Sequence, residues 1–217
     1  MAANEIFDIF DENMTEIGQD TREQVHAQGL WHQTFHCWVW KRSEKGEQLL
    51  LQLRHKDKDT FPDQLDVSCG GHLLTGEGPE DGVRELEEEL GISADVNDLV
   101  YCGLIAQENI ISEQLIDREF NHIYIYECNK ELEQYQVQAE EVSGLFFISV
   151  SDFRELVFGL ADEVSVEGII YEEGTGRLIQ SQRTIRLDDL TPNSYDYFDL
   201  IFSKLENLMT AEKSGGE

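Results

Sequence analysis

Residues 70–92, GGHLLTGEGPEDGVRELEEELGI, decide how the rest of this chain is read. Pro79 suits a first helical turn, and Glu80 and Asp81 complement the positive end of the helix dipole. Gly91 suits the left-handed residue that closes a helix. Val83, Leu86 and Leu90 recur at helical spacing and make one apolar face. Glu85, Glu88 and Glu89 stand at i, i+3 and i+4, so they share another face, while Glu87 points to solvent. Like charges at that spacing repel by roughly 0.2–0.5 kcal/mol per pair. An open acidic surface tolerates this repulsion, and a cation between the carboxylates removes it. Three converging carboxylates offer the hard oxygen ligands that suit Mg²⁺ or Mn²⁺. Arg84 precedes the set and can grip a glutamate with its two-pronged guanidinium. The glycine-rich turn lets backbone approach the helix start closely.

The same residues resemble the Nudix box. That pattern is a glycine, five residues, a glutamate, seven residues, then Arg-Glu, an apolar residue, any residue, Glu-Glu, any residue, a glycine and an apolar residue. Arg84, Glu85, Leu86, Glu88, Glu89, Gly91 and Ile92 match its second half, and Gly71 and Glu77 its first. Only six residues separate Glu77 from Arg84. On a continuous helix, one missing residue turns what precedes it by about 100°. The spacing therefore sets Glu77 out of phase with the ligand set, unless the helix starts one residue late and absorbs the gap.

The likeness extends over residues 25–160. HAQGLWHQTFHCWVW, LLLQLRHKDKDTFPDQLDVSCGGHL, REFNHIYIYE and EEVSGLFFISV resemble the Nudix branch close to type I isopentenyl diphosphate isomerase. The resemblance implies an α/β fold, a Nudix-like α/β/α sandwich around a mixed β-sheet. It also implies a small-molecule diphosphate as substrate.

Two chemistries fit such a frame. The first is hydrolysis of a nucleoside diphosphate linked to another moiety, or of a similar diphosphate. Here Glu85, Glu88 and Glu89 hold Mg²⁺ or Mn²⁺, which neutralises the diphosphate and acidifies a water. Arg84, Glu85, Glu89 and Glu141 form the catalytic set, with Glu140 as another candidate base. Arg54 and Lys58, four apart in RHKDK, grip the diphosphate. The second is isomerisation of isopentenyl diphosphate, which needs an acid and a base on opposite faces of a double bond. The isomerase pattern has a cysteine in Cys-Gly-His, a histidine-rich metal site and a glutamate on a later strand. This chain reads Cys69-Gly70-Gly71-His72, with the cysteine one residue early and so turned to the other strand face. His32 and His72 fit two histidine positions, His26 misses a third by one, Glu119 fits the catalytic glutamate, and Asp117 stands at the metal-site glutamate. The complete carboxylate set and the displaced cysteine favour hydrolysis. A catalytically idle binding module is a third reading, supported by the contraction before Arg84.

Outward from this core, EIFDIFDE and TEIGQDTR read as a hairpin turning at Glu12–Met14, and REQVHAQG as a short helix closed by Gly29. TFHCWVWKR and EQLLLQLRH read as a second hairpin, and residues 59–69 as a loop into a short strand. LVYCGLIAQE, FNHIYIYEC and GLFFISV read as strands. Ser151 reads as the N-cap of the helix SDFRELVFGL. Residues 167–187 contain a hairpin turning at Gly174–Gly176. In the tail, Tyr195, Phe198, Ile201, Phe202, Leu205 and Leu208 form the apolar face of a helix. The expected organisation is an N-terminal hairpin and short helix over 1–28, a Nudix domain over 29–160, and a C-terminal hairpin and amphipathic helix over 161–217 packed on the same domain.

Composition narrows the partners. The 217 residues carry a formal net charge of −29, which disfavours nucleic acid and anionic membranes. Lys41, Arg42, Lys45, Arg54, Lys56 and Lys58 form a local exception, either hairpin ends or a phosphate-facing rim. Cys37, Cys69, Cys102 and Cys128 are scattered without Cys-x-x-Cys pairing, as in a reduced, cytoplasmic protein. No secretory leader or membrane-spanning run is read from the sequence. The flanks outside the central domain are where substrate specificity or a homodimer surface is expected. Trp31, Trp38, Trp40 and Phe61 are candidates for stacking on a base, with Trp38 and Trp40 better placed in a core.

Overall fold

A computed structural model describes residues 5–172, 174–175 and 177–211. Strands β1 (Ile6–Phe10) and β2 (Glu16–Thr21) form the first hairpin. The Asp11 carboxylate accepts from the amides of Asn13 and Thr15 at 2.9 and 2.8 Å and so fixes the turn. Thr21 caps α1 (Arg22–Gln28), and Gly29, at φ 62°, closes it.

Strand β3 (Trp31–Ser43) is the spine of the sheet. Along one edge it runs parallel to β8 (Leu115–Glu127), which pairs in turn with β7 (Val100–Ser112). Along its other edge Thr34–Cys37 pairs with β6 (Cys69–His72), and Trp40–Ser43 pairs with β4 (Gly46–Arg54). With β1, which pairs at Trp31, three strands thus share this edge of β3. Beyond β4 lie β9 (Val142–Ser149), β10 (Val164–Glu172) and β11 (Arg177–Ile185), with β5 (Leu65–Asp66) also paired to β4. The parallel β3–β8 pair among antiparallel neighbours makes the sheet mixed.

The two-residue period of β3 sorts its side chains between two cores. Phe35, Cys37 and Val39 enter the core beneath α2 (Arg84–Leu90) with Leu50, Leu86 and Leu90. Trp38 and Trp40 enter the opposite core with α3 (Val150–Val157) and α4 (Tyr195–Ala211). Phe153 anchors that second core, with ring centroids 5.4 Å from Trp38, 5.7 Å from Phe198 and 5.8 Å from Phe202. Fully burying one such aromatic side chain contributes about 1.5–3 kcal/mol. Helices on both faces of one sheet make the α/β/α sandwich.

Several local expectations need correction. Gly70 and Gly71 lie in β6 rather than in a turn, and the turn is made by Gly76 and its neighbours, with Gly76 at φ 80°. Pro79 does not open an α-helix. Residues Asp81–Val83 form a 3₁₀ turn, and regular helix begins only at Arg84. Gly82 packs too closely on Phe35 for a longer regular turn with a side chain there. Ser149, not Ser151, caps α3, accepting from the Asp152 amide at 3.0 Å. Tyr195 is 64% exposed, and Tyr197 takes the buried place on α4. Gly174 and Thr175 form the last hairpin turn, while Gly176 and the tail after residue 211 lie outside the described residues. Trp38 and Trp40 are core residues, and Trp31 stacks on Phe120 at 4.8 Å. Among the described residues no helix is long and apolar enough to cross a membrane.

A Cβ on Gly82 would sit 2.4 Å from the Cβ of the fully buried Phe35. Gly82→Ala should therefore lower unfolding free energy by about 1–3 kcal/mol, measured by urea denaturation. Wild-type stability would contradict this close approach.

Candidate active site

Beside β6 lies a cavity of about 840 Å³. Glu85, Glu88 and Glu89 border it from α2, and Arg54, Lys58 and Glu141 border it from the loops around β4 and β9. The structure therefore brings the metal-ligand, catalytic and substrate-binding residues of the hydrolase reading to one cavity, Arg84 among them, whereas Cys69 and His32 do not line it.

Glycines set the glutamates in place. A Cβ on Gly71 would lie 2.3 Å from the Glu85 carboxyl carbon, so Glu85 lies where a side chain of β6 would be. The Gly70 amide donates to Glu89 Oε2 at 3.2 Å. Glu85 and Glu89 are buried, whereas Glu88 is half exposed.

Arg84 ties this face together. Its Nε and Nη2 donate to both oxygens of Glu77 at 3.1 Å, its Nη1 to Glu85 at 2.5 Å and to Glu88 at 3.3 Å, and its Nη2 to the His72 carbonyl at 3.1 Å. The contraction between Glu77 and Arg84 thus leaves Glu77 in contact with the ligand set. The out-of-phase expectation gives way to its alternative, a late helix start: the intervening chain is a turn followed by a 3₁₀ turn, and regular helix begins at Arg84. The Leu74 amide, donating at 2.8 Å, completes the hold on Glu77.

The electrostatics call for positive charge. Burial, opposed by Arg84, pushes the Glu85 carboxyl up to about 7, and burial with the neighbouring Glu85 charge pushes Glu89 up to about 8. Metal-free, these groups hold protons that a cation would displace. The all-oxygen donor set fits Mg²⁺ or Mn²⁺.

The basic rim divides. Lys58 pairs with Glu141 at the cavity edge. Arg54 donates to Asp66 at 2.7 Å and twice to the Thr60 carbonyl, so its fork is engaged within the protein. Lys41 and Lys45 lie elsewhere, paired with Glu131 and Glu167.

A second cluster adjoins the first. One ligand atom from each of His26, His32, His72 and Asp117 lies within 4.8 Å of the others. The Nε2 atoms of all three histidines and Oδ1 of Asp117 are buried without a hydrogen-bond partner among the described residues. His32 Nδ1 lies 3.1 Å from the Leu30 carbonyl and can only donate to it, which leaves Nε2 a bare acceptor. That nitrogen stands 3.6 Å from Asp117 Oδ1. Two buried acceptors facing each other require a proton or a cation between them. Glu119 lies 3.8 Å from His72, and burial followed by the Asp117 charge raises its carboxyl well above the usual range. His26 belongs to this group despite its one-residue offset, because α1 and not a strand sets its direction.

Cys69 is fully buried in the α2-side core, and burial pushes its thiol up, which suppresses a thiolate.

With this geometry in view, comparison with known proteins identifies the family. A family model described as the NUDIX domain matches residues 31–166. The chain is 44% identical over 201 residues to an uncharacterised Nudix hydrolase of Clostridium acetobutylicum, covering 93% of this chain and 97% of that relative. This chain belongs to the Nudix hydrolases. An isopentenyl-diphosphate Delta-isomerase of Photorhabdus laumondii is a weaker relative, 28% identical over 75% of this chain and 88% of its own. A crystal structure from Deinococcus radiodurans shares the fold, with a TM-score of 0.53 and 21% identity over 71% of this chain and 90% of its own.

Sequence reading of this Nudix chain passed over Thr34 and His36, which also border the cavity. The signal was present: His32, Thr34 and His36 alternate along β3, so three polar groups share one strand face.

Glu89 gives a pH prediction. Its folded pKa is raised, so between about 4.5 and 8 the folded state holds more protons than the unfolded chain. Stability attributable to it is lost as pH rises through that window. Metal-free wild type should lose melting temperature relative to Glu89→Gln between pH 5 and 8.5, and Mn²⁺ should restore it in wild type only. A difference independent of pH would contradict the raised pKa.

Proposed function

We propose that this Nudix hydrolase cleaves the diphosphate of a small molecule whose second moiety is polar, using Mg²⁺ or Mn²⁺ at Glu85, Glu88 and Glu89. The observation that carries this reading is the buried Glu85–Glu89 pair, held by Gly70 and Arg84 at the mouth of a cavity with room for such a substrate. The ion would supply charge neutralisation and acidify a water. The chain's own residues do the rest. Arg84 keeps Glu85 and Glu88 on the cavity side, and Glu77 holds Arg84. Lys58 exchanges Glu141 for a phosphate oxygen, which frees Glu141 to take a proton. Arg54 holds the 57–60 loop through Thr60 and turns to the diphosphate only by giving up Asp66. The segments 1–28 and 161–217 serve the 29–160 domain as flanks rather than separate units, since β1 pairs with β3 and β10 with β9.

The second reading, isomerisation of isopentenyl diphosphate, is favoured by the His26–His32–His72–Asp117 cluster beside Glu119. Two observations weigh against it. Cys69 faces the α2-side core, so no thiol opposes Glu119 across the cavity. The apolar side chains lining the cavity are Phe61, Val67, Leu74 and Pro192, too few to bury a branched hydrocarbon among so many charges.

A panel of diphosphate esters with Mg²⁺ or Mn²⁺, read by phosphate release, tests the assignment. Turnover of at least one ester is expected. Glu89→Gln should lower kcat by about 100-fold or more, with melting temperature retained in Mn²⁺-free buffer. Isopentenyl diphosphate should stay unconverted. Its conversion to the allylic isomer, abolished in Cys69→Ala, would establish the second reading instead. Glu141→Gln should lower kcat with KM little changed, and an unchanged kcat would remove Glu141 from the reaction.

A further inference from the structure

His36 stands on the same β3 face as Trp38, and its ring lies against Gly70, where an added Cβ would be 3.3 Å from His36 Cδ2. The Tyr197 hydroxyl is 2.9 Å from His36 Nδ1 and 3.0 Å from Trp38 Nε1. An indole N–H only donates, so the Tyr197 oxygen accepts from Trp38; among the described residues the hydroxyl hydrogen then has His36 Nδ1 as its acceptor, whereas an Nδ1–H would leave that hydrogen without one. With Nδ1 accepting, a neutral His36 carries its hydrogen on Nε2. Burial keeps the ring neutral, pulling its pKa down to about 4.

No residue among those described receives the Nε2 hydrogen, and His36 borders the cavity. Asp66 is the nearby carboxylate, but its donors among the described residues are Arg54, Thr191 at 2.6 Å and the Val67 amide at 2.8 Å, and His36 is not among them. Tyr197 comes from α4, beyond residues 31–166, and is fully buried. A C-terminal helix outside the matched domain therefore reaches through the sheet's second core to fix one hydrogen at the cavity floor.

We infer that His36 is a substrate-binding donor, that Tyr197 positions it by holding the Nε2–H tautomer, and that it grips an uncharged oxygen, hydroxyl or carbonyl, on the part of the substrate beyond the diphosphate. The uncharged character follows from Asp66, an ionised carboxylate that borders the same floor and repels a second anionic group. This inference rests on the hydrolase reading.

Its test joins spectroscopy to kinetics. In protein labelled with ¹⁵N-histidine, long-range ¹H–¹⁵N spectra, assigned by loss of the signal in His36→Gln, should show His36 protonated at Nε2. Tyr197→Phe should shift it to a tautomer mixture while the melting temperature confirms a folded protein. With the ester cleaved fastest in the panel, His36→Ala and Tyr197→Phe should raise KM about tenfold, the effect of one neutral hydrogen bond, with kcat within about twofold. His36→Gln, which can donate through its amide, should recover most of the loss. Inorganic pyrophosphate, which lacks a second moiety, should inhibit all four proteins equally. Protonation at Nδ1, or an unchanged KM in His36→Ala, would overturn the inference while leaving hydrolysis standing. No turnover of any ester would overturn the hydrolase reading and this inference with it.

Discussion

Two carboxylates buried side by side organise this molecule. Glu85 and Glu89 are taken out of water by β6 and α2, and the Glu85 charge further raises the cost of ionising Glu89. Such a pair persists only where protons or a cation neutralise it. Every neighbouring feature is consistent with that constraint. Gly71 leaves the volume that the Glu85 side chain occupies, the Gly70 amide donates to Glu89, and Arg84 supplies partial compensation while Glu77 and the His72 carbonyl hold it in position. Arg84 does not satisfy Glu89, which leaves a deficit of positive charge on the cavity side.

The cavity lies between β6, the turn before α2, α2 itself and the loops around β4 and β9. Two cores on opposite faces, one under α2 and one under α3 and α4, hold the strands apart against collapse. On the polar face of β3, buried His32 contributes to the histidine and aspartate cluster and His36 meets Tyr197. The chain thus carries two groups of metal-type ligands around one space, the carboxylates toward α2 and the imidazoles toward α1. A dense acidic surface with a formal charge of −29 makes such cation sites a condition for admitting any phosphorylated ligand.

Much of this was legible from residue order alone. The apolar run TFHCWVWKR read as a strand with Trp38 and Trp40 in a core, and helical spacing placed Glu85, Glu88 and Glu89 together. What was illegible depended on geometry between elements. The relation of Glu77 to Arg84 turned on a 3₁₀ segment that Gly82 permits and that counting residues on an ideal helix misses. The fate of Arg54 depended on Asp66 and Thr60, which only the packed loop brings near. His26 entered its cluster through the angle of α1, and Tyr197 displaced Tyr195 from the core because its hydroxyl has Trp38 and His36 to meet. Hydrophobic periodicity ranks both tyrosines by position and is blind to a buried hydrogen-bond partner.

The most direct measurement is anomalous diffraction at the manganese edge from crystals grown near pH 8 with Mn²⁺. The account predicts a peak at ligand distance, about 2–2.5 Å, from carboxylate oxygens of Glu85 and Glu89. Clean density there, with the two side chains turned apart into solvent, would contradict it.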